Sequence, residues 1–240
     1  FKTGRKNSLR YRVYRKAFAM AGYKNIIQNR GDSIQSQRRK IEKRVRSDKV
    51  ENPGFTVLMS VYKKEEPSYF DLSLQSILVN QSLLPNEMVL VCDGLLTDEL
   101  YAVIDKYQSA FPQILRVYKL ENNVGLGQAL NYGLDKCSYE WIARADSDDV
   151  CASDRFQKQI DYVTTHEVDI LSSYIDEFDT DYTKPIRVKT MPLSHEELVK
   201  MAKFRNPINH MTAMFKKSVI INAGSYVHLP YVEDYYLWVR

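Results

Sequence analysis

The sequence predicts an α/β fold with a mainly parallel sheet flanked by helices, preceded by a basic helical extension. Three observations carry this reading. After Asn52-Pro53-Gly54, runs of five to eight mostly apolar residues alternate with stretches whose apolar residues recur every three or four positions. The apolar runs are nearly continuous rather than alternating, as in strands covered on both faces. Residues 1–50 differ in kind: they hold 16 Lys/Arg and 3 Asp/Glu, leaving 18 basic and 27 acidic residues in the other 190. A local charge of +13 is thus joined to a body of −9, an asymmetry that speaks of partners rather than fold.

The elements follow in order. In the extension (residues 1–52), Leu9, Val13, Ala17 and Met20 form a helical apolar stripe among arginines and lysines, and Gly31-Asp32-Ser33 interrupts it. The body, 53–240, opens with a strand at 55–62 and a helix at 69–79, where Leu72, Leu74, Ile77 and Leu78 repeat at helical spacing. A strand at 88–92 ends in Asp93-Gly94, and a helix at 98–111 has Asp98 as its expected cap. A strand at 114–120, a helix at 125–137 and a strand at 141–145 come next, the last ending in Asp146-Ser147-Asp148-Asp149. A helix at 154–166 and one extended segment at 169–178 complete the regular pattern.

Composition narrows the function. No apolar run approaches the ~18–20 residues of a membrane span, and no apolar signal region follows the basic start. Cys92, Cys137 and Cys151 are too few and too scattered for a disulfide framework or a thiolate zinc site, so a reducing, cytoplasmic setting is expected. Gly125-Leu126-Gly127 lacks the third glycine of a dinucleotide fingerprint, and no phosphate loop of the GxxxxGK type occurs. A nucleic-acid binder is disfavoured too, since the body is acidic and no recognition motif accompanies the basic arm.

In open α/β sheets ligands bind beyond the carboxyl ends of the strands. Those ends carry Tyr62 to Glu66, Asp93-Gly94, Glu121 to Gly127, and Asp146 to Asp149. Four polar ends together predict a site for a charged ligand. Three carboxylates within four residues repel one another unless a cation or hydrogen bonds relieve them. They read either as a hard-cation site, with Mg²⁺ or Mn²⁺ as the ion, or as a capped, solvated turn.

The ordered segments VLMSVYKKE (57–65), Asp93-Gly94, ENNVGLGQALNYGL (121–134), ARADSDD (143–149) and EDYYLWVR (233–240) resemble family 2 glycosyltransferases of GT-A fold. The likeness is to the bacterial branch that builds capsular, exopolysaccharide and lipopolysaccharide chains, and it covers Phe55 to Arg240. It implies a metal-dependent, inverting transfer from a nucleotide-sugar, expected to be a UDP-sugar. The resemblance places Ser60, Tyr62 and Glu65 at the nucleotide base and gives Asp93 the uracil hydrogen bond. Asn123, Gly125 and Asn131 fall beside ribose and diphosphate. Asp146 and Asp148 match the D-x-D carboxylates, with Asp148 the direct metal contact, and Glu233-Asp234 match the ED pair in which Asp234 is the general base. The chain stops six residues after Asp234, so the domain is expected to be cut short at its C-terminus.

Other residues keep two readings. Arg144 is a phosphate or nucleotide-sugar ligand, or a structural ion pair; His210 is a further metal ligand, or, more commonly for such a residue, a hydrogen-bonded structural histidine. Trp238 reads as packing rather than sugar stacking. The expected acceptor is a glycan or lipid-linked glycan, and homo-oligomers remain open. The basic arm either contacts the anionic cytoplasmic face of the inner membrane or is a solvated extension. The alternative to an enzyme is a non-catalytic sugar-nucleotide-binding or scaffold protein of the same fold.

Overall fold

The computed structural model describes residues 52–240 and the backbone of Tyr11–Arg15. In chain order its elements are β1 (Tyr11–Arg15), β2 (Phe55–Val61), α1 (Pro67–Leu78), β3 (Glu87–Cys92), α2 (Asp98–Ala110), β4 (Leu115–Lys119), α3 (Leu126–Lys136), β5 (Trp141–Arg144), β6 (Val150–Cys151), α4 (Arg155–Thr165), β7 (Ile170–Leu171), β8 (Tyr174–Phe178), β9 (Arg187–Lys189), α5 (His195–Ala202), a 3-10 turn (His210–Thr212), β10 (Met214–Lys216), α6 (Lys217–Asn222) and α7 (Glu233–Trp238).

The main sheet has the order β4-β3-β2-β5-β10-β7. Its first four strands run parallel and β10 lies antiparallel to both β5 and β7. Side-chain alternation sorts the core into two layers. Phe55, Val57, Met59 and Val61 of β2, with Met88, Leu90 and Cys92 of β3, pack toward α1, α2 and α4. Leu58, Val89, Val91 and Ile142 point the other way, against Ala129, Leu130 and Leu134 of α3 and against Ile220 and Leu237. That is the period-two geometry of a strand buried on both faces.

Three expectations need correction. Tyr11–Arg15 is a strand rather than helix: β1 pairs antiparallel with β8 and parallel with β6 in a second sheet of order β6-β1-β8-β9. Its Tyr-Arg-Val-Tyr-Arg sequence is rich in strand formers, and main-chain pairing with β8 outweighs an apolar spacing that also fits a helix. The rest of the expected helical extension lies outside the described residues. The single extended segment at 169–178 is two strands in different sheets, β7 in the main one and β8 in the other. Finally, α2 is capped by Thr97, whose hydroxyl accepts from Leu100 N at 3.4 Å, while Asp98 sits in the first turn.

At the end of β3 remote from the ligand crevice, buried Glu87 accepts from Thr56 Oγ1 (2.8 Å), Ser138 N (2.7 Å) and Ser138 Oγ (2.8 Å) and pairs with Arg116 Nε (2.9 Å). Glu87→Ala strands these buried donors, so it lowers stability by about 2–4 kcal/mol. A shift in urea midpoint at constant slope checks this.

Candidate active site

Strand order reverses direction beside β2: the chain steps outward through β3 and β4, then returns to add β5 on the other flank. Ligands sit at such a switch point, and the loops after β2 and β5 meet there. Ser147 Oγ hydrogen-bonds Glu65 Oε2, and Glu65 N donates to Tyr62 O at 3.1 Å to close the turn after β2. Ser60 is half-buried at the strand end and Tyr62 is exposed.

Across β3, buried Asp93 organises its neighbour loop. Its carboxylate accepts from Val124 N (2.7 Å), Gly125 N (3.1 Å) and Asn123 Nδ2 (3.0 Å). The turn requires glycine twice, since Gly94 and Gly125 have φ of 84° and 88°. A Cβ on Gly94 would also lie 2.7 Å from Asn123 N. Asn131, one turn into α3, is engaged on both amide atoms: its Nδ2 donates to Tyr226 O (2.6 Å) and its Oδ1 accepts from Tyr226 N (2.9 Å).

The acidic turn after β5 is held from below. Ser73 Oγ of α1 donates to Asp146 O at 2.9 Å, and Ser76 Oγ accepts from Cys151 N at 2.9 Å. Asp146, Asp148 and Asp149 bring one carboxylate oxygen each within 4.8 Å of one another. Asp146 and Asp148 are half-buried and Asp149 is buried. Three anions so close are costly without positive charge, and an all-oxygen donor set suits a hard divalent cation. Part of that charge comes from Arg144. Its guanidinium is fully buried, pairs through Nη2 with Asp146 Oδ1, and finds no acceptor at Nε or Nη1 among the described residues.

The ED pair begins α7. Asp234 is half-buried; its Oδ2 accepts from Asn206 Nδ2 (2.6 Å) and its Oδ1 from Tyr235 N (2.7 Å). Glu233 is buried where α7 meets α3: a Cβ on Gly127 would lie 3.4 Å from Glu233 Cβ. Tyr226 joins the two sides. Its backbone is clamped by Asn131, its hydroxyl meets His210 Nε2 at 2.8 Å, and it lies in the fields of Arg144, Asp234 and Asp146.

His210 does not join the acidic group among the described residues. It is buried, hydrogen-bonded to Tyr226, with its ring 5.9 Å from that of Trp238. Trp238 packs on Phe215 as well, at 6.3 Å. Burial, aided by the Arg144 charge, pushes the imidazole down to about 3. The unfolded chain therefore takes up a proton near the ordinary 6.5 that the folded chain refuses until about 3. This contribution is complete above pH 6.5 and declines toward pH 3, by up to about 1.4 kcal/mol per pH unit. Urea midpoints between pH 7 and 4.5 should fall more steeply in the native chain than in His210→Gln.

Sequence reasoning left Asp149, Asn206 and Tyr226 without a role. Asp149 was visible in the DSDD cluster. Nothing local marks the other two, because Asn206 meets Asp234 across 28 positions and Tyr226 meets Asn131 across 95.

Comparison with known proteins follows the same lines. The family model described as "Glycosyl transferase family 2" matches residues 56–222. The chain is 43% identical over 187 residues to the amylovoran biosynthesis glycosyltransferase AmsE of Erwinia amylovora, covering 78% of this chain and 68% of that protein. It is 38% identical over 191 residues to the UDP-Gal:alpha-D-GlcNAc-diphosphoundecaprenol beta-1,3-galactosyltransferase of Escherichia coli, covering 79% and 68%. Among solved structures, the mannosyltransferase PcManGT from Pyrobaculum calidifontis in complex with GDP-Man and Mn²⁺ superposes with a TM-score of 0.58 at 16% identity, over 83% of this chain and 56% of that one. The chain spans about half the length of the solved structures it matches.

Proposed function

The chain belongs to glycosyl transferase family 2, and on that premise we propose that it moves a sugar from a UDP-sugar to a hydroxyl of a bacterial surface polysaccharide or its lipid-linked precursor, with inversion. The observation that carries this reading is the acidic turn after β5, where Asp146, Asp148 and Asp149 each bring a carboxylate oxygen within 4.8 Å of the others and Arg144 pairs with Asp146. The loops after β2 and β3, with Ser60, Tyr62, Glu65 and Asp93, form the wall for the nucleotide base. The Asn123–Gly125 turn, pinned by Asp93, flanks ribose and diphosphate, and Asn131, one turn into α3, clamps the Tyr226 backbone.

Asp146, Asp148 and Asp149 would hold Mn²⁺ or Mg²⁺, which when bound neutralises charge on the departing diphosphate. Arg144 fixes Asp146 from inside the fold and offsets part of the charge of the acidic turn. Asp234, aimed by Asn206 and the Tyr235 amide, takes the proton from the acceptor hydroxyl as its oxygen bonds to the anomeric carbon. The bond from that carbon to the diphosphate breaks, and the electron pair leaves with UDP. No second carboxyl acid is needed, because the diphosphate is already a good leaving group.

The E. coli relative supports both UDP as carrier and a lipid diphosphate acceptor, since its name states them. The manganese in the PcManGT complex supports a cation. The lipid-linked acceptor named for the E. coli relative supports a place in the cytoplasm, at the inner face of the inner membrane. The test is UDP release from a panel of UDP-sugars. Release with one sugar, lost to EDTA and restored by Mn²⁺, is expected. UDP binding without release from any sugar favours the non-catalytic alternative, and neither binding nor release refutes the reading.

A further inference from the structure

The acidic turn and the strand that follows it rest on one helix, and that helix grows out of the loop after β2. Ser73 Oγ of α1 donates to Asp146 O at 2.9 Å, and Ser76 Oγ accepts from Cys151 N at 2.9 Å. Just beyond α1, Gln81 Nε2 donates to Ala152 O at 2.8 Å and Ser82 N to Ser153 O at 2.7 Å. Val150 and Phe178 add apolar contact with Tyr69 and Leu72. From Asp146 to Ser153 the chain therefore has α1 and its flank as a common support.

The N-terminal end of α1 carries a further link, this one between two side chains. Glu65 lies two residues before Pro67, where the helix begins. Its Oε1 accepts from Glu66 N at 3.0 Å, and its Oε2 accepts from Ser147 Oγ. Ser147 is buried and stands between Asp146 and Asp148 in the chain. A hydroxyl donating to a carboxylate makes a charge-assisted bond, stronger than one between neutral groups.

Whatever settles Asp146 and Asp148 thus settles Ser147, and through it Glu65 and the loop from Tyr62 to Glu66. The three carboxylates repel one another until positive charge lies between them, so filling the cation site settles the turn. We infer that Ser147 is a positioning residue whose bond to Glu65 couples the cation site to the nucleoside seat. Filling either site then raises the affinity of the other, by the same factor in both directions, as linkage requires. The inference rests on the cation site and the nucleotide wall proposed above. It adds a path between them that does not pass through the diphosphate. The fit of the base is then felt at the cation, where the leaving group departs.

Uridine isolates that path, because it has base and ribose but no phosphate to meet a cation. The 240-residue chain is titrated with uridine, and separately with UDP, in EDTA and in Mn²⁺. Uridine affinity should rise about fivefold or more when Mn²⁺ is added. Ser147→Ala should bring that ratio to about one. Glu65→Ala, at a half-buried loop position, should do the same and serves if the buried Ser147→Ala does not fold. The double variant should go no further, as for two groups acting through one bond. A purely structural loss lowers uridine affinity alike with and without Mn²⁺; a ratio that survives Ser147→Ala in this way overturns the inference. Uridine affinity indifferent to Mn²⁺ in the native chain, or no uridine binding at all, overturns it too. If UDP still responds to Mn²⁺ in those cases, the cation site stands and only the coupling falls. UDP binding that ignores Mn²⁺ removes both.

Discussion

Asp234→Asn is expected to lower sugar transfer by about 10²–10⁴-fold, the range general-base help supplies, while UDP affinity stays at the native value. The substitution keeps the shape of the side chain. Its amide oxygen can still accept from Asn206 Nδ2, which lies 2.6 Å from Asp234 Oδ2. What it loses is the second acceptor oxygen, which takes a bond from Tyr235 N at 2.7 Å, and with it any oxygen able to take a proton from an acceptor hydroxyl. The proposed nucleotide wall is built from the loops after β2, β3 and β5, whereas Asp234 bonds Asn206 and the Tyr235 amide. Turnover and UDP binding, measured side by side with an identified donor, therefore separate the role of base from a role in folding. Native turnover in Asp234→Asn would falsify the assignment.

Asp148→Ala is expected to remove most Mn²⁺-dependent UDP affinity, at least about a hundredfold, since groups merely adjacent to metal ligands are already worth 10–100-fold. Titration of UDP with and without Mn²⁺ reads this directly. A turn that merely caps and solvates would behave otherwise: UDP affinity would ignore Mn²⁺ in both proteins. Loss of the Mn²⁺-dependent part of UDP affinity is therefore diagnostic of a cation site.

Much of the fold was legible because its parallel strands are short, buried on both faces and punctuated. The strand expected at 88–92 begins one residue earlier and the helix expected at 125–137 is Leu126–Lys136. β10 was not legible. It is three residues, Met214–Lys216, held between β5 and β7, and so short a segment carries no periodicity of its own. The arm misled for a related reason, as Leu9, Val13, Ala17 and Met20 fit helical spacing while Tyr11–Arg15 has strand residues and finds a partner in β8.

The site divides along the same line. Sequence alone marked the acidic turn and the glycines beside Asp93, because each is a local cluster of chemically unusual residue types, while the ED pair was marked by the family resemblance. It also determined the family, through the order of those clusters. Only the tertiary structure decided what each group faces. It turned Asn131 to the Tyr226 backbone, gave His210 to Tyr226 rather than to the acidic turn, added Asp149 to the possible ligands, and brought Asn206 to Asp234. The physical reason is range: charge clusters and turn residues are written over three or four positions, whereas hydrogen bonds spanning 16, 28 or 95 positions exist only once packing has closed the loops between them.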